Sequence, residues 1–380
     1  MRVAYFSEVY WPMISGVSMT LERTATALRR RGHAVRVYAP AYSLPAGTAD
    51  HPGVHRSRAR PLILDSAVQW AAPRMTDILA DLRGFRPDLI HVLTEFPMGR
   101  TGARAARILD VPLIASAHTD YERYAPQYGL GWLIPAAWAY LRAFYARADV
   151  VLAPTREYAT HLHRRGVMRT GLWGRGVDTD RFAPAHRSAE FRASVGVGPD
   201  DLLVVCVSRL APEKGIGELI DAWRLVNPSH PTARLVLVGG GLLEASLRAS
   251  TPPGVHLTGS LRGTELAAAY ASADLFAFAS TTETFGNVVL EAMASGLPCV
   301  VTGAGGVLDM AHHEENALVA RPGDVVDLST QLTRLLRDPG LRSALGGSAR
   351  RTALARSWDT VHDQLLLTYV AYSLRNWQAA

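Results

Sequence analysis

The 380-residue sequence predicts an α/β protein built from two Rossmann-like, doubly wound domains in tandem. Three observations carry that expectation. Short apolar runs alternate with stretches of helical periodicity, the pattern of parallel strands joined by crossover helices. The runs are apolar throughout and not alternating, as suits strands buried on both faces. The series also begins twice, on either side of a segment at 178–201 rich in Pro, Asp and Gly, which reads as an interdomain linker.

In chain order, strands are expected at 3–7, 34–39, 89–93, 113–117, 150–153 and 172–173, with helices such as 17–31, 99–109 and 135–147 between them. The second series runs 202–207, 235–238, 256–257, 275–279, 299–301 and 318–319. A last helix at 358–377 carries Leu365, Leu366, Tyr369 and Tyr372 at helical spacing. The domains expected are 1–180 and 185–358, with 360–380 as a C-terminal helix. Each doubly wound unit offers a crevice where its strand order reverses, and two such crevices can face each other across a cleft.

Hydrophobic residues make up 48% and charged residues 19%, as in a globular chain. No apolar run reaches the roughly 18–20 residues of a membrane span. The stretch Val3 to Phe6 is too short for the apolar core of a signal peptide. Cys206 and Cys299 lie inside apolar runs and read as buried small hydrophobes of a reduced, cytoplasmic protein; no Cys/His metal site is available.

The net charge of +6 is unevenly spread. Residues 1–184 carry 24 Arg against 15 acidic residues, whereas 185–380 carry 16 basic against 19 acidic. A basic N-terminal half suits an anionic partner or membrane surface, or is a solvated arginine-rich face. No compact basic run interleaved with aromatics points to nucleic acid. Of 40 basic residues, only Lys214 is a lysine. A lysine is a compact point charge where arginine is a planar fork, so that position stands out before any motif is named.

Three features fall at the ends of expected strands, where doubly wound folds bind ligands. The first is Ser208 to Gly215, in which Arg209 and Lys214 precede a helix start. A fork, a point charge and free helix N–H groups suit a diphosphate; an isolated pair of this spacing would read as a solvated loop. The second runs from Glu283 through Thr284, Phe285, Gly286 and Asn287 to Glu291. A carboxylate there can accept two hydrogen bonds from vicinal hydroxyls, or either Glu can be an ordinary helix residue. The third is His118-Thr119-Asp120, a polar triplet that is either crevice-lining or structural. Gly16, between the first strand and first helix, would let a ligand approach the backbone closely. The chain has neither G-x-G-x-x-G nor G-x-x-x-x-G-K-[ST], against a dinucleotide-dependent dehydrogenase and a P-loop enzyme.

In this order, these segments resemble the family 4 retaining glycosyltransferases of GT-B fold. The resemblance covers essentially the whole chain. Its signature is two Glu separated by seven residues, here Glu283 and Glu291, with the upstream pair Arg209 and Lys214. The stretches 10–17, 118–121, 128–132 and 173–182 are similar to the bacterial GDP-mannose-dependent mannosyltransferase and sulfolipid-type branch.

The resemblance implies a nucleotide diphosphate sugar as co-substrate, no metal or other cofactor, and a lipid, glycoside or small-molecule acceptor. It implies Arg209 and Lys214 on the donor diphosphate, Glu291 on the ribose, and Glu283 with the Phe285 and Gly286 N–H groups on the transferred sugar. Thr284, Asn287 and Val288 would complete that loop, and Gly16 with Val17 would approach the phosphates. His118 would line the reaction centre. Asp120, Tyr121, Tyr124 and Tyr128 would lie on the acceptor side, where their rings could stack on a ligand or simply pack. In such enzymes the donor phosphate is thought to take the acceptor proton, and the last helix crosses back onto the first domain.

Two departures bear on the donor: the first loop has Ser15-Gly16 where many relatives carry two glycines, and Gly239-Gly240-Gly241 has no central acidic residue. A UDP-sugar donor is therefore the alternative to GDP-mannose. An epimerase or phosphorylase on the same scaffold is a second enzymatic alternative, but a pyridoxal-dependent phosphorylase needs a lysine, and the only one lies in the diphosphate motif. A non-catalytic nucleotide-sugar binder is the third reading.

Overall fold

The computed structural model describes residues 1–13, 15–42, 50–61, 69–119, 121–124 and 129–378. The chain forms two compact units: Met1–Gly174 with Val361–Ala380, and Arg175–Thr360.

The first unit holds a seven-stranded parallel sheet of β1 (Arg2–Phe6), β2 (Ala34–Pro40), β3 (Val54–Ser57), β6 (Leu89–Val92), β7 (Leu113–Ser116), β8 (Val150–Ala153) and β9 (Thr170–Leu172), in the order β3-β2-β1-β6-β7-β8-β9. Between β3 and β6, the short strands β4 (Ala59–Pro61) and β5 (Gln69–Ala71) pair as an antiparallel ribbon. The strand order reverses between β1 and β6, so the loops after these two strands border a crevice. Both faces are covered: Ala4 and Phe6 point into one core cluster, Val3 and Tyr5 into another. That double burial explains the unbroken apolar run of β1.

The second cluster is completed by Val361, Leu365 and Tyr369 of the C-terminal helix Trp358–Gln378. The buried Tyr369 hydroxyl bonds Tyr5 Oη at 2.8 Å and His91 Nδ1 at 2.6 Å, and His91 Nε2 meets Ser116 Oγ at 2.5 Å. Burial drives the His91 pKa down to about 3, so its ring is neutral and this polar chain carries no net charge.

The second unit repeats the topology with β10 (Leu203–Val207), β11 (Arg234–Val238), β12 (Val255–Gly259), β13 (Leu275–Phe278), β14 (Cys299–Thr302) and β15 (Leu318–Ala320), all parallel, in the order β12-β11-β10-β13-β14-β15. Its switch point lies between β10 and β13. The core is a single cluster that includes Trp223, Tyr270, Phe276 and Phe278, all almost fully buried.

The sequence reading missed β3, β4 and β5, which are short, polar and half-exposed, so no apolar run marks them. The segment 178–201, read as a linker, is instead packed into the second unit. Phe182, Val195 and Val197 are core residues there. The buried Arg192 of helix Ala189–Ser194 bonds Ser272 O, Gly198 O and Asp274 Oδ2. Turn-forming residues mark where the chain bends, whether the bend is packed or not. Among the described residues, no helix is long and apolar enough to cross a membrane.

Candidate active site

At the switch point of the second unit, two loops are fastened to each other. The loop after β10 ends in a turn, Pro212–Lys214, and in Gly215, which opens the helix Ile216–Val226. Gly215 has φ of +65°, and a Cβ there would fall 2.3 Å from Ala279 O at the end of β13. Only glycine suits both the left-handed backbone and that approach. Lys214 Nζ donates to Glu283 Oε1 at 2.5 Å, and Thr282 Oγ1 donates to Glu213 O at 3.2 Å. Both members of the Lys214–Glu283 pair are largely shielded from water. Arg209 is exposed, with Nη2 2.6 Å from Glu213 Oε1.

The second loop is held from behind. Gly306 N donates to Glu283 O at 2.8 Å, and a Cβ on Gly306 would lie 2.2 Å from Thr284 O. Gly286, at φ +90°, starts the helix Asn287–Ala294, which has no side-chain cap, so its first N–H groups lack intrahelical acceptors. Phe285 is buried, Val288 packs against the core and Asn287 is exposed. Glu291 accepts a hydrogen bond from Tyr270 Oη at 2.9 Å. Burial, reinforced by Glu291, holds the Tyr270 phenol well above its ordinary pKa. A lysine, two carboxylates and a helix start are thus brought to one end of one sheet.

Gly239 and Gly241 follow β11 with φ of +148° and +153°, and Cβ atoms there would strike Ser208 O at 1.8 Å and Leu210 O at 2.5 Å. Both are required by the approach of the Arg209 loop. At Gly240, a Cβ would lie 3.0 Å from Ser260 Oγ and 3.1 Å from Glu244 Oε2, so a carboxylate of the next helix stands beside this glycine.

In the first unit, His118 follows β7, its ring 5.6 Å from that of Trp173 at 60°. The Thr119 carbonyl accepts from Tyr158 Oη at 2.7 Å. Tyr121 packs against the core, and its hydroxyl donates to Glu95 Oε2 at 3.0 Å. Its ring is therefore a structural element of this loop. Asp120 and Tyr128, and the side chain of Tyr124, lie outside the described residues.

Gly16 is the first residue of the helix Gly16–Arg30, which Ser15 caps with a reciprocal Ser18 bond. No atom lies within 4 Å of a Cβ added at Gly16, so packing in the described fold does not demand glycine there. The Val17 side chain packs against the core, leaving its backbone as the part that a ligand could meet.

Two acidic residues missed in the sequence reading sit at the first unit's switch point. Glu8, after β1, accepts from Met98 N at 2.8 Å and Thr94 Oγ1 at 3.0 Å. Burial pushes its carboxyl up to about 7. Glu95, after β6, accepts from Tyr121 and Tyr145, and burial raises its pKa as well. The criterion that singled out His118, a polar residue ending an apolar strand run, would have found both. Among the described residues, no group of three or more His, Cys, Asp or Glu could hold a metal ion.

Two Rossmann-like parallel sheets in tandem, each with polar loops at its switch point, are the domain plan of the GT-B fold. The fold is shared with HepE of Anabaena solved with UDP (TM-score 0.77, 22% identity, 98% of this chain and 100% of that one). It is equally shared with sucrose-phosphate synthase from Thermosynechococcus elongatus (TM-score 0.77, 21% identity, 98% and 99%).

Residues 201–338 match the family described as glycosyl transferases group 1, and 14–181 match glycosyltransferase family 4. The chain belongs to the family 4 glycosyltransferases. It is 38% identical to a GDP-mannose-dependent alpha-mannosyltransferase of Mycolicibacterium smegmatis, over 98% of this chain and 97% of that protein. The counterpart of Mycobacterium tuberculosis is 37% identical over 97% and 96%. The sulfoquinovosyl transferase SQD2 of Arabidopsis thaliana is 35% identical over 74% of this chain and 56% of its own length. Family membership makes this chain a retaining hexosyltransferase, of a family that generally works without a metal.

Proposed function

We propose that this enzyme transfers mannose from GDP-mannose to a lipid or small-molecule acceptor with retention of configuration. The observation that carries the donor assignment is the 38% identity over 98% of the chain with a GDP-mannose-dependent mannosyltransferase. In this reading the second unit binds the donor and the first unit the acceptor. Lys214 and Arg209 hold the diphosphate, and Glu291 holds the ribose. Glu283 and the N–H groups of Phe285 and Gly286 hold the sugar. Gly16 and Val17 offer backbone to the phosphates, and His118 lines the reacting centre. An anionic membrane surface is the partner of the basic first unit.

The physical rationale is differential stabilisation. As the glycosidic bond breaks, negative charge grows on the leaving diphosphate. Cations fixed there stabilise the transition state more than the ground state. Lys214 is such a cation: its ammonium is anchored by Glu283, which leaves two further N–H donors.

The test is calorimetry and thermal shift against GDP, UDP, ADP and dTDP and their common sugar conjugates, followed by turnover with the donor that binds. A selective response to GDP and GDP-mannose supports the assignment. A selective response to UDP-sugars replaces the donor while keeping the enzyme class. Donor binding without transfer or hydrolysis would leave a binding protein.

A further inference from the structure

Away from the switch-point loops, the first unit carries a groove of 760 Å³ along the helix Pro97–Leu109. Arg100, Arg104, Arg107 and Arg147 line it, with Asp110 and Asp149. The first three arginines sit at i, i+4 and i+7, one above another on a single helix face. All four are exposed. The helix has no acidic residue in its 13 positions, and like charges at this spacing destabilise a helix.

Elsewhere, helical arginines find carboxylates three or four residues away, as in Arg224 with Asp221 at 2.6 Å and Arg248 with Glu244 at 2.9 Å. In the groove, one of the two carboxylates is already engaged, because Asp149 Oδ2 accepts from Leu113 N at 2.8 Å. The arginine row therefore works against the helix and faces open volume.

Exposed aromatic residues gather at the start of this helix, where Phe96 is its N-cap. Trp70 and Phe96 are 44% and 37% exposed, with ring centroids 5.7 Å apart. Tyr140, 41% exposed, donates its hydroxyl to Glu95 O. Planar guanidinium forks match phosphate oxygens in bidentate fashion, and exposed aromatic rings suit the headgroup level of a bilayer.

We propose that this groove is a binding site for a phosphate-bearing anion, separate from the donor loops of the second unit. It refines the anionic-partner part of the proposed function and does not depend on the donor assignment. The chemistry fits a lipid phosphate headgroup or a soluble phosphate ester, and the test separates these.

The protein, the combined variant Arg100→Gln, Arg104→Gln, Arg107→Gln, and Lys214→Ala are compared in two arms. One is flotation with vesicles of phosphatidylcholine alone or with phosphatidylglycerol; the other is calorimetry with glycerol 3-phosphate. Each basic residue near an anionic surface contributes about fivefold, so the triple variant lowers affinity about 100-fold without lowering the melting temperature. Lys214→Ala keeps the groove affinity and loses the nucleotide response, while the triple variant does the reverse. Loss in the vesicle arm alone identifies a lipid headgroup, and loss in the calorimetric arm alone a soluble ester. Equal behaviour of the protein and the triple variant in both arms overturns the proposal.

Discussion

Glu8→Gln isolates what a buried carboxylate does at the first switch point. Glu8 is 2% exposed, and its two oxygens accept from Met98 N and Thr94 Oγ1. Its carboxyl rises from 4.5 to about 7, chiefly through burial and against the lowering by those two donors. At roughly 1.4 kcal/mol per pH unit, ionising it in the fold costs about 3 kcal/mol relative to the unfolded chain.

The sign follows from proton counting. Between pH 4.5 and about 7 the folded state holds a proton that the unfolded state has released. Stability therefore falls as pH rises through that window and is level in this contribution above it. Glutamine mimics the protonated acid: its oxygen accepts from Met98 N, and its amide donates to Thr94 Oγ1 once that hydroxyl turns. Urea unfolding at pH 5, 6, 7 and 8 checks this, read as the difference between variant and parent because two units need not unfold in one step. The variant should match the parent near pH 5 and exceed it by up to about 3 kcal/mol at pH 8. A difference that does not vary with pH would refute the assignment of a buried, late-titrating acid.

Tyr369→Phe leaves His91 Nδ1 buried without its phenol partner and should cost about 2 kcal/mol in denaturant unfolding; a change within error would show that the Tyr5–Tyr369–His91 chain does not hold the last helix. Lys214→Ala should lower turnover by about 10²–10³-fold with little change in melting temperature, and a large loss of stability would make the lysine a structural residue. Gly16→Ala, into open space, should leave stability unchanged or slightly higher and yet weaken donor use in steady-state kinetics; unaltered kinetics would remove Gly16 from the donor site. His118→Ala should depress turnover more than donor affinity in calorimetry, and normal turnover would exclude it from the reacting centre.

Much of the fold was legible because its strands are doubly buried. Runs such as Val3 to Phe6 and Leu203 to Val207 admit few other readings once helical stretches lie between them. The polar loops at the second unit's switch point were legible for a related reason: charged residues that end such runs are placed at the sheet's carboxyl edge by topology alone. Less legible were β3 to β5, whose pairing depends on neighbours and not on their own composition.

The sequence by itself determined the two parallel sheets and the identity of the polar residues at the strand ends, because these follow from local periodicity and spacing; the family came from the resemblance of its motifs. Tertiary structure decided which of those residues meet. Lys214 and Glu283 are 69 positions apart and form one ion pair. Tyr369 closes a hydrogen-bond chain with Tyr5, 364 positions away. Segment 178–201 packs onto the second unit, with Phe182, Val195 and Val197 in its core and Arg192 bonded to Ser272 and Asp274. Burial and partner choice are set by packing over long separations, and burial is what moves the Glu8 carboxyl to about 7.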